Sequence, residues 1–205
     1  MFTRCYALMY DRISRGSERA GLRDERAALL AQAHGYTVEI GAGTGLNLTH
    51  YPASITSLTR VEPDQYMRKR LRRRVAQRRP DAAVLDGRAE TLPVEETSFD
   101  TVVGSFVLCS VDDQAAVLDE IARVLRPGGQ LLFLEHVRDQ DPKIAKKQDN
   151  APFLYSWMGC HPNRATLDAI TRSKLLVAAV RRGEVPKAPA IERPMVVGRA
   201  TLSAD

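Results

Sequence analysis

Val38-Glu39-Ile40-Gly41-Ala42-Gly43-Thr44-Gly45 decides how the rest of this 205-residue chain is read. Val38 and Ile40 are β-branched and suit a buried strand, and the glycines after them suit a turn. Three glycines at alternate positions leave no Cβ on the inside of that turn. A ligand can then lie against the backbone, and φ can turn positive where needed. Leu46-Asn47-Leu48 is expected to begin a short helix whose N-terminal N–H groups point back at the ligand.

Spacing narrows the ligand. A dinucleotide fingerprint, G-x-G-x-x-G, has its third glycine where this chain has Leu46; here it comes one residue earlier, at Gly45. Two acidic residues frame the turn. Glu39 precedes the glycines, and Glu62 follows Gly41 by 21 residues, closing the apolar run Leu58-Thr59-Arg60-Val61. A carboxylate at the end of the second strand accepts hydrogen bonds from both hydroxyls of a ribose.

Working outward, residues 1–33 read as helical and His34-Gly35 as their stop. Tyr10 on this helix is placed to close over the glycine turn, or else to pack the helix down. Further strands are expected at 57–61, 82–85, 99–104, 130–135, 175–180 and 194–201. Helices are expected at 64–79, at 113–125 and from Arg164 or Ala165 to Ser173, with Asn163 a candidate cap for the last. Residues 139–151 read as a loop or a helix, and Phe153-Leu154-Tyr155-Ser156-Trp157-Met158 as an aromatic cover for a substrate. Strands alternating with helices at this spacing argue for an α/β fold with a parallel sheet.

Composition sets the outer limits. The chain is 44% hydrophobic and 27% charged, ordinary for a globular protein. No apolar run approaches the ~20 residues of a membrane span, and the N-terminus lacks a signal-peptide core. Cys5, Cys109 and Cys160 form neither a disulfide framework nor a C-x-x-C pair, so a cytoplasmic setting is expected. The net charge of +5 owes much to residues 64–79, where Arg68, Lys69, Arg70, Arg72, Arg73, Arg74, Arg78 and Arg79 surround the stripe Met67, Leu71, Val75. A solvated face is the reading preferred for those cations. No aromatics interleave for base stacking, so nucleic acid is not the expected partner.

The order of motifs then resembles a known family over about residues 36–200. The V-E-I-G-A-G-T-G turn, Glu62, G-R-A-E-T-L-P at 87–93, F-D-T-V-V at 99–103 and R-V-L-R-P-G-G at 123–129 are similar to class I S-adenosylmethionine (SAM) methyltransferases of the ubiquinone-methyltransferase type. A narrower set resembles the group that includes animal alkyl-thiol S-methyltransferases: V-L-C-S-V at 107–111, L-E-H-V at 134–137, G-C-H-P-N-R at 159–164 and R-P-M-V-V-G at 193–198. The animal members carry a hydrophobic N-terminal anchor, which is not read here. Many relatives have an Asp at the place of Arg88.

The resemblance implies a single Rossmann-like domain with a mostly parallel seven-stranded sheet and helices on both faces. Residues 1–35 would form a helical cover, 36–136 the SAM-binding core, and 137–205 the substrate side with the last strands. It implies that Glu39, Gly41, Ala42, Gly43 and Gly45 hold the methionine end, with Glu39 toward the ammonium and backbone N–H groups toward the carboxylate. Glu62 would hold the ribose, Pro63 and Tyr66 would flank the adenine, and the adenine contact would fall to backbone groups of Arg88 and Ala89, or to Glu90. Ser105 and Phe106 would lie under the sulfonium.

Methyl transfer from a sulfonium is an in-line displacement that needs alignment and exclusion of water. A thiolate acceptor needs little more, whereas a hydroxyl needs a general base. His136, past the fifth strand, and His161 are the candidates for that base, with Tyr10 as the cover. Cys160-His161 has no further ligands at metal-binding spacing, so no metal is expected. The expected activity is SAM-dependent methylation of a small, partly apolar molecule. Two rivals stand beside it: a SAM-binding protein without catalysis, and a nucleic-acid methyltransferase docked by the basic helix. The second lacks an N/D-P-P-Y/F motif, having Gly104-Ser105-Phe106-Val107 there.

Overall fold

The computed structural model describes residues 4–151 and 159–204. The aromatic stretch at 153–158 lies outside the described residues. Seven strands form one sheet: β1 (Tyr36–Ile40), β2 (Ser57–Val61), β3 (Ala83–Leu85), β4 (Phe99–Ser105), β5 (Leu125–His136), β6 (Leu175–Glu184) and β7 (Pro194–Leu202). Their order is β3-β2-β1-β4-β5-β7-β6. The first five run parallel, and β7 is antiparallel to both β5 and β6. Strand order reverses at β1, which lies between β2 and β4. In an open α/β sheet that point, at the strand C-termini, is where a ligand crevice opens.

Side chains alternate between the two faces of the sheet along the central strands, as the period of two requires, and both faces are buried. Val102, Leu131 and Phe133 join Val38, Ile40 and Ile121 on one face of the sheet. Val103, Leu132 and Leu134 join Leu30, Leu58 and Leu71 on the other. Both faces of β5 are therefore covered, which explains its near-continuous apolar run. Helices α1 (Arg4–Ser17), α2 (Arg23–Leu30), α3 (Gln65–Arg78), α4 (Gln114–Val124), α5 (Pro142–Asp149) and α6 (Thr166–Thr171) complete the described structure.

Asp64 and Asp113 cap α3 and α4, each carboxylate accepting two backbone N–H bonds of the first turn. Four local expectations change. The N-terminal helix breaks at Gly21 (φ 128°), where a π-helical turn, Glu18–Leu22, separates α1 from α2. The helix expected after Gly45 is a single 3-10 turn, Leu46–Thr49, cut short ahead of Pro52. Asn163 is not the cap of α6; Ala165 occupies that place without a side-chain bond. β6 runs on to Glu184, because its antiparallel register with β7 continues to Glu184↔Pro194.

The basic face of α3 is only partly solvated. Arg68 donates to the Glu62 and Pro63 carbonyls and pairs with Asp86. Arg70 and Arg74 both reach Asp11 on α1. Lys69, Arg72, Arg73 and Arg78 remain exposed. Among the described residues no helix is long and apolar enough to cross a membrane.

Candidate active site

The glycine turn needs its glycines twice over. Gly41, Gly43 and Gly45 have φ of 58°, 55° and 90°, in the left-handed region that other L-residues avoid. A Cβ on Gly41 would lie 2.5 Å from Val107 Cγ2, whereas one on Gly43 would meet nothing within 4 Å. The turn is thus packed beneath and open above. Glu62, 4% exposed, bridges it to β2: Oε2 accepts the Gly43 N–H at 2.7 Å and Oε1 the Asp64 N–H at 2.9 Å. Burial lifts the Glu62 carboxyl to about 7, against the pull of those two N–H donors.

Glu39 forms the floor with partners the sequence did not announce. It ion-pairs with fully buried Arg60 at 2.5 Å, and it accepts from Asn47 Nδ2 at 2.8 Å. Asn47 Nδ2 also donates to Ser105 Oγ at 3.1 Å, and Asn47 Oδ1 accepts from Arg26 Nη1 at 2.9 Å. The Arg26 guanidinium, in turn, bonds Glu18 and lies 5.3 Å from the Phe106 ring centroid. Glu18, Arg26, Asn47, Glu39 and Arg60 therefore form one polar chain through the base of the cavity. Tyr10, Arg26, Glu39, Gly41, Gly43 and Ser105 are among the residues lining that cavity.

Helix α1 is fastened over the turn. Asp11 accepts from Thr44 Oγ1 at 2.6 Å and pairs with Arg70 and Arg74, while Arg74 donates to the Thr44 carbonyl at 2.8 Å. This places Tyr10 in the cavity wall. On the next rim, Arg88 pairs with Glu90 and Asp112, and Glu90 also accepts the Asp112 N–H at 3.0 Å. Ala89 is buried, Tyr66 half-buried and Pro63 exposed along the same edge.

The far side is built on Phe106 (φ 56°), whose N–H donates to the Leu134 carbonyl at 2.7 Å. Buried Glu135 accepts the N–H groups of Val107, Leu108 and Cys109, fixing the loop after β4. The His136 ring lies against Phe106, with centroids 4.4 Å apart. Burial alone would lower His136, but the Cys109 sulfur and the carboxylates of Glu135 and Glu192 outweigh it and raise its pKa. The neighbouring Cys160 thiol and burial hold the Cys109 thiol well above its ordinary range.

His136 Nδ1 faces two sulfurs, Cys160 Sγ at 3.3 Å and Cys109 Sγ at 3.7 Å. Cys160 adjoins His161 in the sequence, but its thiol faces His136 and Cys109. The three donors are 27 and 24 residues apart in the chain, so no local spacing reveals them. His161 joins the group through its backbone, donating to the Cys109 carbonyl at 2.7 Å; burial and Arg164 lower its pKa.

Residues 38–133 match the family described as "Methyltransferase domain". Human thiol S-methyltransferase TMT1A is 29% identical over 178 residues, covering 80% of this chain and 69% of that protein. A phosphatidylethanolamine N-methyltransferase of Cereibacter sphaeroides is 31% identical over 148 residues, 71% of this chain and 72% of the relative. Of the TMT1B thiol S-methyltransferases of mouse, rat and human, the chain spans only 52–58% of the length. A solved SAM-dependent methyltransferase from Thermotoga maritima has the same fold, with a TM-score of 0.69 at 23% identity over 97% of this chain and 96% of that one.

Proposed function

The chain belongs to the class I SAM-dependent methyltransferases, and we propose that it methylates the sulfur of a small, partly apolar thiol. SAM is the cofactor; when bound, it supplies an electrophilic methyl group on a sulfonium. The open cradle above Gly43 and the buried carboxylates at both its ends fit that group.

In this reading Glu62 accepts the ribose hydroxyls, and Glu39 faces the ammonium with Gly41, Ala42, Gly43 and Gly45 around the methionine end. Arg26, in the cavity wall, faces the carboxylate. Pro63, Arg88, Ala89 and Glu90 border the adenine. Ser105 and Phe106 form the surface beneath the reacting methyl, and Tyr10 closes the site from α1 and keeps water out. His136 belongs to the acceptor side, behind Phe106; His161 lies farther along that rim. Residues 1–35 then act as cover, 36–136 as cofactor core and 137–205 as the substrate side, in the reducing cytoplasm that suits free Cys109 and Cys160.

One observation carries the thiol reading. Three of the four motifs resembling thiol S-methyltransferases, at 107–111, 134–137 and 159–164, are far apart in sequence yet meet around His136. The test is turnover with SAM on a panel of alkyl thiols, phenols and amines, read by mass spectrometry. Thiols as the best acceptors by kcat/KM support the reading, and a preference for phenols or amines overturns it. Binding of S-adenosylhomocysteine with no turnover on any acceptor would favour a non-catalytic SAM-binding protein instead.

A further inference from the structure

Cys109, His136 and Cys160 arrive from the loop after β4, the end of β5 and the segment before α6, and their donor atoms all lie within 4.8 Å of one another. The sulfurs are 3.4 Å apart, and His136 Nδ1 is 3.3 Å from one and 3.7 Å from the other. Zinc in a tetrahedral site holds sulfur at about 2.3 Å and nitrogen at about 2.0 Å, which separates two sulfurs by about 3.8 Å and a sulfur from a nitrogen by about 3.5 Å. The triangle observed has the size of one face of that tetrahedron. A pair of thiols destined for a disulfide needs no imidazole nitrogen aimed between them.

Hydrogen bonds to the backbone fix Cys109 and His136 and tie the residue after Cys160 to the same loop. Glu135 accepts the Cys109 N–H, and the His161 N–H donates to the Cys109 carbonyl. Thr166 Oγ1 donates to the His136 carbonyl, and Arg164 Nη1 to the carbonyls of Leu108 and Val111. Cys109 is buried, whereas His136 and Cys160 are half-buried. The open side of the triangle is therefore theirs, and His136 is also the residue that stacks on Phe106.

We infer that Cys109, His136 and Cys160 bind zinc through three protein ligands, and that the fourth position takes the sulfur of the acceptor thiol. Two thiolates and one imidazole select zinc over harder divalent ions, and three ligands with an open position are the pattern of a catalytic zinc site. The second half of the inference rests on the thiol reading above. On coordination the thiol loses its proton to solvent. The sulfur lone pair then forms the new S–CH3 bond as the donor S–CH3 bond breaks, and that electron pair stays on the donor sulfur. A thioether and S-adenosylhomocysteine result. His136 is then a ligand, and the reaction needs no general base.

The test begins with elemental analysis of the full chain purified under reducing conditions, followed by replacement of the metal with Co(II). Stoichiometric zinc, and the visible absorption of tetrahedral thiolate-bound Co(II), are expected. Cys160→Ser and Cys109→Ser should each weaken Co(II) binding by more than about 100-fold, beyond the 10–100-fold cost of outer-shell changes. Retained S-adenosylhomocysteine binding shows that the variants fold. An alkyl thiol, but not a phenol, should shift the Co(II) spectrum of the wild type. Absence of metal overturns the site, as does a metal-free chain lighter by two hydrogens with Cys109 joined to Cys160. Co(II) bound but blind to thiols overturns the fourth-position assignment. Intact metal with turnover confined to phenols or amines sinks the thiol reading and leaves the three-ligand site standing.

Discussion

The Glu62 carboxylate accepts the Gly43 N–H at 2.7 Å, so the end of β2 and the glycine turn are joined at the point proposed for the ribose. One side chain thus shapes the cradle and, in the proposed reading, also serves as an acceptor in it. Glu62→Ala should weaken S-adenosylhomocysteine binding by about 1–3 kcal/mol, the cost of losing hydrogen bonds to a charged acceptor. Calorimetric titration measures this, and unchanged affinity would mean that Glu62 does not touch the cofactor.

The same carboxylate gives cofactor binding a pH dependence. Burial raises it from 4.5 to about 7, so a growing share is protonated as pH falls below 7. A protonated Glu62 loses acceptor capacity, and affinity should fall as pH drops from about 8 to 6. Stability of the ligand-free protein moves the other way. A folded-state value above the unfolded one means the folded state binds the extra proton between about 7 and 4.5. The penalty for the buried charge, full above 7, is relieved as pH falls through that window. Glu62→Gln should flatten both trends in calorimetry and thermal melts.

Arg60 sits opposite Glu39 in the β1–β2 register and is fully buried. Removing it would leave a buried carboxylate without its cation, at a cost of about 3–5 kcal/mol. Arg60→Met should therefore lower Tm sharply, and Arg60→Met with Glu39→Gln should recover much of the loss. A double variant as unstable as the single would show that the pair is not what Arg60 stabilises.

These residues show what the sequence reveals and what it hides. The strands were legible because β-branched runs end at turn signals, and Glu62 was legible because it ends one of them. The start of the helix at Asp64 was equally plain, and Asp64 proves to be its cap. Arg60 was hidden: its partner lies on the neighbouring strand, and only the register brings Glu39 beside it. The kink at Gly21 was hidden because one glycine in a helix-forming run does not by itself dictate a break. Arg26 was hidden because its α2 position carries no motif, although the fold turns it toward Phe106 and Asn47. The Cys109–His136–Cys160 group exists only once β4, β5 and the segment before α6 have packed.

The arginines of α3 divide into two classes with opposite expected effects. Arg72→Glu with Arg73→Glu changes exposed residues and should leave thiol turnover within about twofold, since surface changes usually shift stability by no more than about 0.5 kcal/mol. Arg70→Glu with Arg74→Glu faces Asp11 and should release α1, raising KM for SAM and exposing α1 to limited proteolysis. If the first pair instead abolishes salt-sensitive binding to DNA or RNA, the nucleic-acid reading gains.

In the proposed reading His136 belongs to the acceptor side and not to the cofactor side. It stacks on Phe106 and faces two sulfurs, and it is absent from the wall of the cavity beside the glycine turn. His136→Ala should therefore leave S-adenosylhomocysteine affinity nearly unchanged while cutting kcat on thiols by about 10²–10⁴, the range for loss of a group that handles the acceptor's proton. The pH profile distinguishes how that group acts. If His136 serves as a base, raising the pH converts more thiol to thiolate and restores the variant's rate toward wild type. If it holds a metal, the variant loses metal along with rate, and high pH restores only the part that free thiolate can supply. Measuring kcat, bound zinc and S-adenosylhomocysteine affinity on one preparation across pH 6 to 10 decides between them. Wild-type rates on thiols from a metal-free His136→Ala would remove His136 from the reaction and turn attention to Tyr10 and His161.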